Sequence, residues 1–296
     1  MSDANMLALA VETYHRLFPE MKQRMIEGSA SPSGQACREQ TPTLEELIDG
    51  IQPVPPQTCV VGLCEDRIPF LLDLSQPETG SLLVTGDPAC GKTAQLQLLV
   101  ESVMQLNSPN EVKVGVLSRH PEDWTDQIED PRYARHFLGI FSWYESDAAD
   151  LVSRLVSLGE DRATGRHPGG TILLVVDHLQ DAFTTDFEIQ NGLHWLFEYG
   201  PFSQIRPIAS LDANLCPPNE FWTEAFRTFL VAKIDSDSLT ESLGLSGLST
   251  TKDLVPESEF RAFTGQSWTK YSLPGMTRSS PFSPRFESYQ AYSQQA

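Results

Sequence analysis

Short apolar runs alternate with amphipathic segments through the middle of the chain. The run SLLVT (81–85) precedes a stretch with apolar residues at helical spacing (92–106), and EVKVGVL (111–117) precedes an amphipathic segment at 146–159. Short apolar runs predict buried strands, and apolar residues at intervals of three and four predict helices. Because strands and helices alternate, we expect an α/β fold with a mostly parallel sheet covered on both faces. Three more strands are predicted at TILLVVD (171–177), RPIAS (206–210) and TFLVAKI (228–234).

Two predicted hairpins border this alternating region. TCVVGLCEDRIPFLLDL turns at Glu65–Arg67, and EFRAFTGQSWTKYSL turns around Gly265. In both, two apolar stretches flank a short polar segment, which is the pattern of paired antiparallel strands. The hairpins mark the two ends of the expected core.

The segments outside the hairpins have a different character. Residues 4–27 show helical periodicity that Pro19 divides or kinks. A Gly- and Ser-rich linker follows, and a capping box at Thr43–Glu46 opens a short helix that runs through Ile51. The division we predict is a helical extension with linkers (1–57), a compact domain (58–273) and a disordered tail rich in Ser, Pro and Gln (274–296).

The most informative stretch is GDPACGKT, residues 86–93, which has the form G-x-x-x-x-G-K-T of the phosphate-binding loop in P-loop NTPases. Gly86 and Gly91 allow a tight turn with amides aimed at phosphate oxygens, and the helix that begins here adds its dipole. Lys92 would reach the β- and γ-phosphates, and the Thr93 hydroxyl would bind Mg²⁺. The motif predicts ATP and Mg²⁺ as cofactors. The expected nucleotide-binding residues in this loop are Gly86, Asp87, Pro88, Ala89, Cys90, Gly91, Lys92 and Thr93.

Cys90 lies inside this loop. A thiol at that position is either a redox-sensitive group or simply a small residue that the turn tolerates.

The strand TILLVVD supplies the expected second ligand for Mg²⁺, about 85 residues after the loop. It ends in Asp177, which we expect to complete the Mg²⁺ site with Thr93. In the additional-strand class of P-loop ATPases a glutamate follows and polarises the attacking water, whereas this chain has His178. A neutral imidazole can accept a proton, but its reach differs from that of a carboxylate. His178 is therefore either a catalytic base or a packing residue.

Asp181 and Asp212 are alternative carboxylates for the role of base. The competing interpretation places both on the surface or at helix caps.

Charge and cysteine content indicate which partners and which cellular compartment the sequence favours. The 296 residues include 21 basic and 40 acidic side chains, which gives a net charge of −19. Such a charge repels nucleic acid unless cations are concentrated on one surface. The five cysteines are an odd number with no metal-binding spacing, which favours a reducing compartment. The N-terminal pattern argues against a signal peptide, and no apolar run in the sequence is long enough to cross a bilayer, so we expect a cytoplasmic protein.

The order of these blocks over roughly residues 58–273 resembles the FtsK/SpoIIIE motor domain, within the HerA/FtsK group of ring ATPases. The segments that carry the resemblance are VVGLCEDRIPFLLDLSQPETGSLLVTGDPACGKT, EVKVGVLSRHPEDW, FSWYESDAADLVSRLVSLGEDR, VVDHLQDAF, IASLDANL and AFRTFLVAKIDSDSLTESLGLSGLSTTKDLVPESEFRAF.

The resemblance implies a RecA-like core that assembles as a ring, usually a hexamer, with ATP between neighbours. Members move double-stranded DNA, and relatives in secretion systems drive protein export. Ser210 matches the sensor position that contacts the γ-phosphate. The arginine that acts on a neighbour's nucleotide falls on Arg227 or, in the other register, on Phe229, and Lys233 matches a second basic position.

The chain departs from this pattern at His178 and at the arginine. The expectation is therefore a ring-forming, DNA-translocase-like ATPase with weak or impaired hydrolysis. The alternative is a non-hydrolysing adaptor or a secretion-type ring subunit that acts on a protein substrate.

Overall fold

The computed structural model describes residues 41–215, 222, 224–236, 251–263 and 267–275. The helix expected at 4–27 lies outside these residues. So do Gly265 and all of the expected tail beyond residue 275.

The described residues form one ten-stranded sheet. In chain order its strands are β1 (Thr58–Cys64), β2 (Pro69–Asp73), β3 (Ser81–Gly86), β4 (Val112–Ser118), β5 (Phe137–Ser142), β6 (Thr171–Val176), β7 (Ile205–Asp212), β8 (Phe226–Val231), β9 (Glu259–Phe263) and β10 (Trp268–Ser272). Across the sheet they lie in the order β2-β1-β10-β9-β8-β3-β7-β6-β4-β5. The strands from β8 to β5 pair in parallel, and β9, β10, β1 and β2 continue the sheet in antiparallel pairs.

Helices cover both faces of the sheet. They are α1 (Leu44–Ile51), α2 (Lys92–Leu106), α3 (Thr125–Glu129), α4 (Ser146–Ala163) and α5 (Phe187–Tyr199). Successive side chains of a strand point to opposite faces, so Leu82 and Val84 belong to the core that contains α2, while Leu83 belongs to the core that contains α4 and α5. The predicted α/β fold with a mostly parallel sheet is confirmed.

Sequence periodicity missed β5 and α5, and it extended β8 too far. The residues of β5 are mostly half-buried at the edge of the sheet, so they lack the apolar run of a central strand. The run TFLVAKI leaves the sheet after Val231, because the backbone of 232–236 turns to pack on the loop at 86–93. Both predicted hairpins are present as the pairs β1–β2 and β9–β10.

Helix α1 starts with the predicted capping box. The Thr43 hydroxyl accepts a hydrogen bond from the Glu46 amide at 3.2 Å, and the Glu46 carboxylate accepts one from the Thr43 amide at 2.9 Å. The apolar side of α1 is buried in the same core as α2, and the residues that face this core are Leu44, Leu47, Ile48 and Ile51. Residues 44–51 therefore pack as part of the domain, while the proposed divisions near residues 57 and 273 stay predictions.

None of the helices in the described ranges is long and apolar enough to cross a lipid bilayer.

Glu101 on α2 is expected to make stability depend on pH. Burial raises the pKa of Glu101 to about 7, and the carboxylates of Glu45 and Asp130 add to this, whereas the Gln105 amide and Arg132 oppose it. Because this folded-state pKa lies above the unfolded value, the folded protein holds a proton that the unfolded chain releases. The free energy of unfolding therefore falls as pH rises from about 4.5 to about 7.

Glu101→Gln should consequently raise stability at pH 8 by about 1 kcal/mol and change little at pH 5, the figure being reduced for partial solvent exposure. Urea unfolding at four pH values from 5 to 8 measures this. Glu160→Gln, on the exposed side of α4, is the control. Parallel pH profiles for wild type and Glu101→Gln would contradict the assignment.

Candidate nucleotide-binding site

The predicted phosphate loop lies at the carboxyl end of β3, in the parallel half of the sheet. Strand β7 lies beside β3, and β6 lies beyond β7. Asp212, at the end of β7, is paired in register with Gly86, and Asp177 directly follows β6. Ligands of parallel α/β sheets bind at this edge, where the carboxyl ends of the strands meet.

The two glycines of the loop occupy positions that exclude a side chain. Gly91 has φ +91°, and a Cβ atom there would lie 2.7 Å from the Cα of Glu257. At Gly86 a Cβ atom would lie 2.6 Å from the Cys90 sulfur and 2.8 Å from the Ala232 Cβ. Helix α2 begins at Lys92 directly after Gly91, so its free N–H groups open onto the loop. This cradle of amides suits an anion such as phosphate.

Two segments later in the chain, at 233–235 and at Glu257, form hydrogen bonds with the loop. The Asp87 amide donates to the Lys233 carbonyl at 2.9 Å, and the Asp87 carboxylate accepts from the Asp235 amide at 2.9 Å. The Glu257 amide donates to the Cys90 carbonyl at 3.0 Å. The Lys233 side chain is turned to Asp235, with 3.2 Å between Nζ and Oδ1. These residues hold the shape of the loop, and no local signal in the sequence pointed to them.

Burial and the Asp87 and Asp212 carboxylates raise the pKa of the Cys90 thiol, although Lys92 opposes this. A raised pKa lowers the fraction of reactive thiolate, which favours the interpretation of Cys90 as a small, tolerated residue.

Lys92 is held entirely by protein groups. Its Nζ lies 2.7 Å from the Asp212 carboxylate, 2.7 Å from the Asp87 carbonyl and 3.4 Å from the Gly86 carbonyl. The side chain is 8% exposed. Asp212, one of the two alternative carboxylates, therefore lies in the phosphate site rather than on the open surface.

Thr93 and Asp177, the two residues predicted to bind Mg²⁺, are in contact. The Thr93 hydroxyl donates to the two carboxylate oxygens of Asp177 at 3.2 and 3.3 Å, and the Ser210 hydroxyl donates to Oδ1 at 2.6 Å. Asp177 is completely buried. Burial by itself would raise the pKa of its carboxyl group, but His178 together with the Ser210 and Thr93 hydroxyls outweighs burial and holds the pKa below its usual value.

The donor set fits Mg²⁺. This ion is usually bound by one or two protein oxygens, with water and substrate phosphates completing its coordination. Thr93 and Asp177 supply such oxygens next to the loop. Within the described ranges there is no cluster of three His, Cys, Asp or Glu side chains that would hold a metal by itself.

His178 adopts an unusual backbone conformation directly after Asp177. Its φ of 60° and ψ of 61° are left-handed, which is sparsely populated for residues other than glycine and recurs at functional sites. The amide donates to the Ser210 hydroxyl at 2.8 Å, and the ring Nδ1 lies 3.5 Å from Asp177 Oδ1. Burial would lower the pKa of the imidazole, but the carboxylates of Asp177, Asp181 and Asp212 together outweigh burial and raise it. Ser210 therefore holds the backbone of His178, and the ring faces Asp177.

Asp181 is not available as a free base. It is buried and paired with the Arg119 guanidinium, whose Nε donates to Oδ2 at 2.8 Å. Both of its carboxylate oxygens accept hydrogen bonds from Arg119, which leaves Asp181 in a structural ion pair.

Arg227, proposed as a catalytic residue, does not reach the phosphate loop of its own chain. It lies at the amino end of β8, next to Gly80 and close to where β3 begins. At about 3.3 Å per residue, the length of β3 separates this position from the loop by roughly 15–20 Å. Arg227 is exposed, and Phe229 is half-buried. Any action of Arg227 on a nucleotide would have to be in a second subunit.

The structure adds two neighbours of Asp177 that sequence reasoning missed. Trp143 Nε1 donates to the Asp177 carbonyl at 3.1 Å, and the Ser118 hydroxyl lies 3.4 Å from Asp177 Oδ2. Ser118 ends strand β4 and could have been found, because carboxyl ends of parallel strands share one edge. Nothing in the sequence around Trp143 points to this contact.

No family model and no curated protein sequence matches the chain. Solved structures do match. EccC from Thermomonospora curvata, as ATPases 2 and 3 in complex with a signal sequence peptide, has a TM-score of 0.60 and 16% identity, over 84% of this chain and 45% of the other. EssC ATPases 2 and 3 from Geobacillus thermodenitrificans has a TM-score of 0.59 and 12% identity, over 75% and 47%.

A third similar structure is the monomer form of the pCW3 conjugation coupling protein TcpA with ATPγS. Its TM-score is 0.58 and its identity 14%, over 89% of this chain and 82% of TcpA. The chain spans just under half the length of the EccC and EssC structures. These likenesses confirm the expected fold, the RecA-like core of P-loop ATPases.

Proposed function

We propose that this chain binds ATP with Mg²⁺ and is a subunit of a ring ATPase of the FtsK/HerA type, with weak hydrolysis. The observation that carries the proposal is the complete phosphate loop beside the Thr93–Asp177 contact of 3.2 Å. Lys92, Thr93 and the amides at the start of α2 supply the groups that bind phosphate. Mg²⁺, when bound, would neutralise charge on the β- and γ-phosphates.

In this proposal the chain's own residues position the groups around the metal. Ser210 fixes both the Asp177 carboxylate and the His178 amide, so its role is to orient the two residues. His178 would hold or accept a proton near the γ-phosphate. Its Nδ1 faces Asp177, which leaves Nε2 as the nitrogen for this work.

His178, which stands in place of the usual glutamate, provides the first test of the proposed weak hydrolysis. His178→Glu should raise the rate of phosphate release about tenfold, which is 1.4 kcal/mol of barrier, because a carboxylate next to Asp177 orients and deprotonates water in the resembled family. Phosphate release under saturating ATP·Mg²⁺ measures it, with His178→Gln as a control of similar size that has no basic group.

No change in the His178→Glu rate, with ATP still bound, would favour the adaptor that binds ATP without hydrolysing it. A clear loss from an already fast wild-type rate would make His178 the working base and refute the proposal of impaired hydrolysis.

We also propose that ATP lies between subunits of a ring. Exposed Arg227 lies at the amino end of β8, away from its own loop, where it could contact the nucleotide of a neighbour. Self-association should therefore increase with ATP·Mg²⁺ and decrease in Arg227→Ala, while ATP affinity of the isolated protomer stays unchanged.

Light scattering after size exclusion, with and without ATP·Mg²⁺, measures this assembly. Arg154→Ala, which removes an exposed arginine from α4, controls for the loss of charge. A protein that stays monomeric at high concentration with ATP·Mg²⁺ would count against the ring.

The substrate of such a ring would be a polymer, either DNA or a polypeptide. The net charge of −19 repels DNA, so of these two polymers we favour a polypeptide. We propose a cytoplasmic location, in keeping with the cysteine content.

A further inference from the structure

The ion pair between Lys92 and Asp212 is the feature of this site that the ATP-binding proposal leaves unexplained. The two side chains lie 2.7 Å apart, 8% and 19% exposed. Lys92 is the cation that the phosphate loop offers to a nucleotide, yet here it faces a carboxylate of the same chain. A fixed anion at this position competes with any phosphate for the same charge.

The ammonium group of Lys92 has no hydrogen-bond donor left over for a phosphate. An ammonium group has three N–H donors. Four acceptors lie within reach of these three donors: the Asp212 carboxylate, the Asp87 carbonyl, the Gly86 carbonyl at 3.4 Å and the Cys90 sulfur at 3.7 Å. A phosphate therefore gains a strong, charge-assisted hydrogen bond from Lys92 only when one of these contacts is released.

The Asp212 carboxylate has only one weak alternative to Lys92 as a hydrogen-bond partner. Its second carboxylate oxygen faces the Gln180 amide at 3.5 Å, which is too long for a strong hydrogen bond. Its backbone is fixed by the pairing of β7 with β3, because Asp212 lies opposite Gly86 in the register. A bound phosphate would thus meet a carboxylate that cannot move far away.

We propose that Asp212 is a positioning residue that holds Lys92 in the nucleotide-free protein and competes with the phosphates of a nucleoside triphosphate for it. The proposal rests on the ATP-binding function above. It assigns Asp212 the task of weakening nucleotide binding, so that occupancy follows the ATP concentration.

Two measurements test it on the full chain. Asp212→Asn keeps the size of the side chain and should tighten ATP·Mg²⁺ binding about tenfold by calorimetry. Asp126→Asn is the control, because it removes one negative charge at an exposed position on α3, outside the phosphate loop. It should change the affinity much less.

The second measurement needs no nucleotide. Acetylation of Lys92 by an amine-directed reagent, quantified by peptide mass spectrometry, should rise several-fold in Asp212→Asn, because the ammonium loses its ion pair. Lys113 serves as the internal reference, because its ammonium group donates to the Arg135 carbonyl. Asp212→Ser provides a second variant if Asp212→Asn fails to fold.

The outcomes separate the two proposals. Unchanged acetylation of Lys92 overturns the holding contact, whatever ATP does. Raised acetylation without tighter ATP binding, in a protein that binds ATP, overturns the competition. Raised acetylation with no ATP binding by either protein overturns the nucleotide assignment and the competition with it, while the ion pair stands.

Discussion

Replacement of Lys92 by alanine is expected to weaken ATP·Mg²⁺ binding by about 1.5 to 3 kcal/mol, or roughly 10- to 150-fold. Lys92 stands at the start of α2, next to the loop, and in our proposal its ammonium group would be the charge-assisted donor for phosphate. The loss has a second cause. Without Lys92 the Asp212 carboxylate remains in the phosphate site without its cation and repels the nucleotide.

Calorimetric titration with ATP·Mg²⁺ measures the effect. The matched control is Lys233→Ala, because Lys233 lies beside the same loop but directs its side chain to Asp235. The control should bind ATP nearly as wild type does. Equal affinities in wild type and Lys92→Ala would contradict the assignment of the loop as a nucleotide site.

Gly91→Ala is expected to destabilise the folded protein by about 2 to 3 kcal/mol and to abolish nucleotide binding. Two independent effects act at this position. The φ of +91° is unfavourable for any residue with a Cβ, and the added atom would lie 2.7 Å from the backbone of Glu257. Because Glu257 is itself tied to the Cys90 carbonyl, the loop and the segment behind it would have to separate.

Gly50→Ala is the matched control for this substitution. Gly50 lies on the exposed side of helix α1, and a Cβ atom there meets nothing within 4 Å. Alanine in a helix is favoured over glycine, so this variant should gain about 0.5 to 1 kcal/mol. Urea unfolding of both variants measures the difference in sign. A Gly91→Ala protein as stable as wild type would show that the loop does not need its observed shape.

The sequence by itself determined most of the central elements and the local chemistry of the loop. Strand β3, the loop at 86–93 and helix α2 follow from apolar runs, helical spacing and the two glycines, all of which act between residues close in the chain. The capping box of α1 is equally local. A local cause needs no knowledge of the rest of the fold, so the pattern was sufficient for these features.

Tertiary structure decided which groups meet. Thr93 contacts Asp177 and Lys92 contacts Asp212 only because β6, β7 and β3 are neighbours in one register, and no short-range pattern specifies that register. The same pairing sets the position of Arg227 at the far end of β8. A strand pattern shows which face a residue occupies, but the partner across the sheet depends on contacts between distant parts of the chain. The contact between the Asp212 carboxylate and Lys92 could therefore be recognised only in the folded protein.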